Sequence, residues 1–138
     1  MPIEVENLSG GLGVLFRCRG PLAGKDFIHA NDGILASREH YQWSRYVLVD
    51  TSDANPIEVS SVDLRAIAEQ SEQLAKTGFE NIVVAIVAPQ DLAFGLARMW
   101  EVFVYKTGWV TMSFRSRNDA ETWIRQRMQQ KTNGEVAV

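Results

Sequence analysis

The sequence predicts an α/β domain with a mixed sheet of about five strands, in the order β-β-α-β-α-β-α-β-α. Two unbroken apolar segments, residues 46–49 and 82–88, are typical of strands that are covered on both faces. Segments with helical apolar spacing alternate with the later strands, which favours a largely parallel sheet with right-handed crossovers. Near the start, Ser9-Gly10-Gly11 is a turn signal that predicts a hairpin, and therefore one antiparallel pair.

The first part of the chain contains the hairpin and the first helix. Residues 3–8 begin by alternating apolar and polar side chains, which predicts a half-exposed strand. Residues 12–18 are predicted to form the second strand, and Gly20-Pro21 is expected to end it. The segment 24–41 has apolar residues at 3.6-residue spacing and predicts a helix, which Gly33 weakens.

The later part of the chain contains three more helices. Ser60 followed by Asp63 predicts a helix start, because the side-chain oxygens of such a pair accept hydrogen bonds from unpaired backbone N–H groups. Residues 90–106 form the most apolar predicted helix. A strand at 109–115 and a last helix at 119–128 follow.

Length and composition indicate one globular domain. The 138 residues include 46% hydrophobic and 22% charged side chains, which is enough to form a core. We expect a single domain over residues 1–130 and a loose tail over 131–138.

Charge and cysteine content exclude several classes of protein. The net charge of −3 gives no general attraction to nucleic acid. With Cys18 as the single cysteine, neither an internal disulfide nor a cysteine-based zinc site is predicted, and we expect no metal or other cofactor. The sequence contains no apolar segment long enough for an integral membrane span, and its start lacks the features of a secretory signal, so we expect a cytoplasmic protein.

Four segments of the chain resemble the SpoIIAA-like branch of the STAS family, whose fold is also similar to that of the lipid-binding CRAL-TRIO domain. The resemblance extends over residues 3–128 and rests on these segments: Arg19-Gly20-Pro21-Leu22 before Asp26-Phe27; Val47-Leu48-Val49-Asp50; Val83-Val84-Ala85-Ile86-Val87-Ala88; and Phe114-Arg115-Ser116 before Ala120-Glu121-Thr122-Trp123-Ile124. It implies a STAS-like fold with helices packed on the sheet.

The resemblance also implies a phosphorylation site. Anti-sigma-factor antagonists of this family carry an Asp-Ser-Ser-Gly-like motif at the start of the second helix, where a serine is phosphorylated. The corresponding segment here is Glu58-Val59-Ser60-Ser61, in which Val59 occupies a serine position and Ser61 the glycine position. Ser60 is therefore the candidate phosphosite. The competing interpretation, which the pattern favours, is that Ser60 only caps the helix.

A second candidate site follows the central strand at 46–49. Asp50, Ser52 and Asp53 come just after it, at the carboxyl edge of the sheet where α/β folds commonly bind ligands. The alternative is that these residues form a polar loop with an Asx-turn.

The helix at 90–106 carries more apolar bulk than packing on a sheet requires. Three explanations remain open: an interface with a second copy or another protein, a lid over a pocket for a small apolar molecule, and closer burial under neighbouring elements. The residues assigned to this ligand or dimer surface are Leu92, Phe94, Leu96, Met99, Trp100 and Phe103.

These observations lead to two hypotheses of function. No motif combines a base, a nucleophile and an oxyanion donor, so we expect a protein that is not an enzyme and has no catalytic residues. The resemblance implies a regulatory or protein-interaction module that forms a homo-oligomer, such as a dimer. The alternative, by analogy with the CRAL-TRIO domain, is a protein that binds a small apolar or lipid-like ligand.

Overall fold

The computed structural model describes residues 2–136, with side chains as far as Gln130. Five strands lie side by side in one sheet in chain order: β1 (Ile3–Leu8), β2 (Gly13–Ala23), β3 (Tyr46–Glu58), β4 (Val83–Val87) and β5 (Val110–Phe114). β1 is antiparallel to β2, and every other pair is parallel. This mixed sheet confirms the predicted fold class, and the two continuous apolar segments lie in β3 and β4, each with a neighbour on both sides.

Five helices connect and cover the strands. Their bounds are α1 (Gly24–Ala36), α2 (Arg38–Tyr41), α3 (Ser61–Lys76), α4 (Asp91–Phe103) and α5 (Arg117–Val136). Two short 3₁₀ turns, Ser9–Gly11 and Tyr105–Thr107, precede β2 and β5. α5 extends beyond the predicted end at residue 128, so the backbone of residues 131–136 continues this helix, while residues 137–138 of the predicted tail lie outside the described residues.

The two faces of the sheet have separate cores. The larger core joins residues such as Val84 of β4 to Ile67 of α3 and Trp100 of α4, and α1 also packs there. The smaller core joins Leu48 of β3 to Ile124 of α5. The parallel strands follow one another in a single direction across the sheet, so right-handed crossovers place α1, α3 and α4 on the same face. α5 follows the last strand and covers the opposite face.

β2 and β3 are both longer than predicted, and the predicted polar loop after residue 49 is wrong. β4 pairs with β3 only as far as Asp50, which lies opposite Val87. β2 continues through two register shifts and pairs with β3 up to Ala23 and Glu58. This outer part of β3 has a single neighbour strand, and polar residues fit it because it does not cross the middle of the sheet. Pairing between distant segments has overridden local strand propensity.

The predicted helix over residues 24–41 is interrupted at Ser37. The backbone of Ser37 has φ −118° and ψ 39°, outside the helical region, and its N–H donates to the carbonyls of Gly33 and Ile34. The chain then resumes as the single turn α2. Local apolar spacing does not reveal this break, because the sequence of residues 24–41 carries the same helical spacing on both sides of Ser37.

Candidate functional site

The structure divides the six predicted residues of α4 among three environments. Leu92 is 62% exposed and Met99 is also exposed. Phe94, Leu96 and Phe103 are half-buried. Trp100 is only 9% exposed and belongs to the larger core, so it is not part of an open surface.

Arginine side chains cover two of the half-buried aromatic rings. The Arg65 guanidinium of α3 lies 4.4 Å from the centre of the Phe103 ring, and the Arg115 guanidinium lies 4.2 Å from that of Phe94. Such cation–π contacts shield part of the apolar surface. The predicted explanation of closer burial therefore applies to Phe94 and Phe103.

An apolar stripe of α4 is only partly covered, and we call it the outer α4 surface: Leu92, Met99 and Val102 are exposed, whereas Leu96 and Phe103 are half-buried. Four of its members recur at positions i, i+4, i+7 and i+11, which places them on one side of a helix. Val102 lies beside them and is 71% exposed. The outer α4 surface comprises Leu92, Leu96, Met99, Val102 and Phe103.

Two apolar cavities lie between the sheet and the helices of the larger core. The first, of about 90 Å³, lies near the carboxyl ends of the strands, and its lining includes Leu22, Ile57, Leu64 and Trp100. The second, of about 80 Å³, extends beneath α3 and is lined by Ser44, Ile67, Phe79 and Trp100, among others. Neither cavity is fully enclosed. Trp100 lines both of them.

Two polar atoms beside these cavities have no hydrogen-bond partner among the described residues. They are the indole Nε1 of Trp100 and the hydroxyl of Ser44, both in side chains of residues that are 9% exposed. Two other hydroxyls of the lining are paired: the Thr51 hydroxyl donates to the Val87 carbonyl at 2.8 Å, and the Ser71 hydroxyl donates to the Ile67 carbonyl. Sequence reasoning placed Trp100 on α4 but gave no signal for Ser44, which reaches the cavity only through the fold.

The predicted site at Asp50, Ser52 and Asp53 is part of β3 rather than a loop. One carboxylate oxygen of Asp50 accepts hydrogen bonds from the Ser52 N–H at 2.9 Å and from the Ser52 hydroxyl at 2.6 Å. The other oxygen pairs with Arg117 at the start of α5, at 3.2 Å. Asp53 is exposed, opposite Arg19 of β2. Both oxygens of Asp50 are thus engaged, one with Ser52 inside β3 and the other with Arg117 of α5.

Ser60 caps α3 in the way its sequence pattern predicts. The Asp63 N–H donates to the Ser60 hydroxyl at 3.0 Å, and the Ser60 N–H donates to the Asp63 carboxylate at 2.9 Å. Ser60 is exposed at the carboxyl side of the sheet, so a modifying enzyme has access to it. Its assignment as a phosphosite stays a prediction.

Cys18 is buried in β2 and is chemically protected. Burial raises the pKa of its thiol from 9.0 to about 12, and the negative charges of Asp50 and Asp26 add to this shift. Because the thiolate is the reactive form of cysteine, this side chain is poorly suited to nucleophilic or redox chemistry.

The described part of the chain contains neither a candidate metal-binding cluster nor a candidate membrane-spanning helix. Within residues 2–136, no three or more histidine, cysteine or acidic side chains come together in a group that could hold a metal ion. Within the same range, none of the helices combines the length and the apolar character needed to cross a bilayer.

Comparison with known proteins shows that this chain is similar in fold to solved structures. No protein-family model matches the sequence, and no curated protein matches it. An uncharacterised protein of the DUF3478 family from Shewanella loihica PV-4, with a SpoIIAA-like fold, superposes with a TM-score of 0.52 at 18% identity, covering 88% of this chain and 90% of the other. The anti-sigma factor antagonist SpoIIAA in its unphosphorylated form superposes with a TM-score of 0.50 at 12% identity, covering 89% and 97%. The chain therefore has a SpoIIAA-like, STAS-type fold.

Proposed function

We propose that this chain is a non-enzymatic regulatory module that acts by binding protein, and that it binds a second copy of itself. The proposal rests on the outer α4 surface. This apolar stripe lies beside the buried residues Ala93, Ala97 and Trp100, through which α4 packs on the sheet. The fold supports the same proposal, since one protein that shares it is an anti-sigma factor antagonist.

The spacing of the outer α4 surface favours a helix as its partner. Apolar residues at i, i+4, i+7 and i+11 form the kind of seam along which two helices pack. α4 also has an acidic residue at its start, Asp91, and a basic residue just after its end, Lys106. Asp91 already pairs with Arg115 of its own chain at 2.7 Å, so the proposed interface rests on the apolar seam rather than on charge complementarity.

Substitution at Met99 tests this interface. We expect the wild type to be dimeric by light scattering after size exclusion, and Met99→Glu to be a folded monomer, because a glutamate in an apolar seam loses its hydration without gaining a partner. Trp100→Glu is unsuitable, since Trp100 lies in the core and its loss would unfold the chain.

A matched control separates this surface from general apolar exposure. Leu12 is an exposed leucine in the turn before β2, outside the outer α4 surface. We expect Leu12→Glu to remain dimeric. A wild type that is monomeric at the highest attainable concentration, or a Met99→Glu variant that is still dimeric, contradicts the proposal.

A second candidate function is the binding of a small apolar molecule, and the two cavities beside Trp100 favour it. We expect native mass spectrometry of gently purified protein to detect a bound small molecule, and added apolar compounds to raise the unfolding temperature. If no mass is bound and no compound shifts the unfolding temperature, this second function is wrong.

A further inference from the structure

We propose that a cavity beside Trp100 is a site for a small, uncharged, largely apolar molecule that carries one hydrogen-bond acceptor, and that this acceptor receives the indole N–H of Trp100. This inference rests on the second candidate function and specifies its ligand. The volumes, the unpartnered polar atoms and the charge of the lining each contribute one part of it.

The volumes indicate the size of the ligand. An apolar cavity of roughly 150 Å³ accommodates benzene. Each of the two cavities here, of about 90 and 80 Å³, is smaller than this, but neither is fully enclosed. A single substituted ring that enters one of them therefore keeps part of its surface outside the cavity. A long lipid chain does not fit within these volumes.

The unpartnered atoms indicate the polar group of the ligand. A buried N–H is almost always paired in folded proteins, and leaving one unpaired is costly. The Trp100 indole is a donor only, so it requires an acceptor. Ser44 provides a second, unpartnered hydroxyl in the cavity beneath α3.

Ordered water finds few polar partners on the walls of the cavity near the strand ends. A buried water molecule needs two to four polar partners. Apart from Trp100, the polar side chain in the lining of this cavity is Thr51, whose hydroxyl proton is already donated to Val87. A ligand with an apolar body and one acceptor provides the Trp100 indole N–H with a hydrogen-bond partner and needs no further polar partners.

The lining also predicts that the ligand is uncharged. Within the described part of the chain, no lysine, arginine, histidine or acidic side chain lines either cavity. Burying a carboxylate without a cation costs far more than burying a neutral carbonyl. Ketones, esters and amides therefore fit this site, whereas carboxylates such as benzoate do not.

Three probes of nearly equal size test the inference. Acetophenone carries a carbonyl, α-methylstyrene replaces that oxygen with a methylene group, and benzoate replaces the methyl ketone with a charge. We expect the wild type to bind acetophenone at least about fivefold more tightly than α-methylstyrene, and benzoate at least about tenfold more weakly than acetophenone. Affinities come from titrations followed by the ¹⁵N–¹H resonances of the tryptophan indoles, in which the Trp100 signal is expected to move with acetophenone.

Two substitutions of the same kind provide the matched comparison. Trp100→Phe keeps an aromatic ring but removes the N–H, so the preference for acetophenone over α-methylstyrene is expected to fall to near one. Trp123 lies on the opposite face of the sheet, against Phe114. Trp123→Phe should therefore retain the preference. Circular dichroism of both variants establishes that they are folded.

The outcomes separate this inference from the function on which it rests. If none of the probes binds, the second candidate function fails and the inference fails with it. If the probes bind but α-methylstyrene equals acetophenone in the wild type, or benzoate binds best, the cavities still hold apolar molecules and only the proposed recognition by Trp100 is wrong. A preference that survives in Trp100→Phe likewise overturns it.

Discussion

Cys18 shows how burial changes the chemistry of one side chain. Its thiol pKa is raised to about 12 in the folded chain, chiefly by burial, whereas an unfolded cysteine loses its proton near its ordinary value. The folded state therefore binds more protons than the unfolded state between about pH 9 and 12. This contribution to the free energy of unfolding is intact below about pH 9, and it falls by up to about 1.4 kcal/mol per pH unit above it.

Comparing the wild type with Cys18→Ala separates the effect of this thiol from that of other groups that lose protons at alkaline pH. We expect the difference in free energy of unfolding between wild type and variant to shrink as the pH rises from 8 to 10.5, measured by urea denaturation. Thiol labelling at pH 8 should be slow in the native protein and fast in denaturant. Parallel stability curves, or fast labelling of the native protein, would show that Cys18 is not held in its protonated form.

Ser60 presents two interpretations that a pair of substitutions distinguishes. The capping box at the start of α3 predicts that Ser60→Ala lowers the free energy of unfolding by about 1 kcal/mol, while Ser60→Asn leaves it nearly unchanged because asparagine is also a good N-cap and adds no charge beside Asp63. Thermal or urea denaturation measures both changes. Equal stability of all three proteins would contradict the capping role.

The phosphosite interpretation of Ser60 needs a separate measurement. A phosphate at this position gains from the helix N-terminus but is repelled by the Asp63 carboxylate that shares the cap. After incubation with a cellular kinase fraction, phosphate found by mass spectrometry on the wild type but not on Ser60→Ala supports the site. Equal phosphate on both proteins excludes it.

At the scale of elements, two glycines of α1 have opposite roles. A Cβ added to Gly24 would overlap the Asp63 side chain, since the starts of α1 and α3 meet there. A Cβ added to Gly33 meets no atom within 4 Å. Gly33→Ala is therefore expected to stabilise the chain by about 0.5–1 kcal/mol through helix propensity, and Gly24→Ala to destabilise it. Urea denaturation of the two variants checks the signs, and a stabilised Gly24→Ala would show that the two helices do not meet closely.

The same elements show what local sequence pattern could and could not predict. The strands 46–49 and 82–88 and the cap at Ser60 were predicted because their signals are contained within a few residues. The continuation of β3 to Glu58 was missed, because residues 50–58 are mostly polar and become a strand only by pairing with β2.

The sequence also predicted one part of the candidate site, the exposed residues of α4, but not the cavities. The exposure of Leu92 and Met99 follows from an excess of apolar residues on a single helix, which the sequence displays directly. The cavities were not predicted, because Leu22, Ser44 and Trp100 come from separate elements that meet only in the folded chain. The buried position of Trp100 could be expected from the helical stripe that it shares with Ala93 and Ala97.

At the scale of the whole molecule, the sheet is stabilised by two unequal layers. Three helices cover one face, whereas α5 alone covers the other. α5 reaches the sheet through Ala120 and Ile124, and the half-buried Trp123 and Met128 pack beside them. All four side chains lie before residue 130. The second layer therefore depends on the first three turns of α5.

Truncation tests this division of the chain. Removing residues 131–138 is expected to leave the unfolding temperature within about 2 °C of the wild type, because the four α5 side chains described in the smaller core are all retained. Ending the chain at Ser116 instead exposes Leu15, Leu48 and Val87 to water, so we expect an unfolded or aggregated product. Ile124→Ala provides an intermediate case in the full-length chain, with an expected loss of about 2–4 kcal/mol. Calorimetry of the three proteins measures these effects. A large drop on removing only residues 131–138 would place a stabilising contact in that segment and move the domain boundary beyond residue 130.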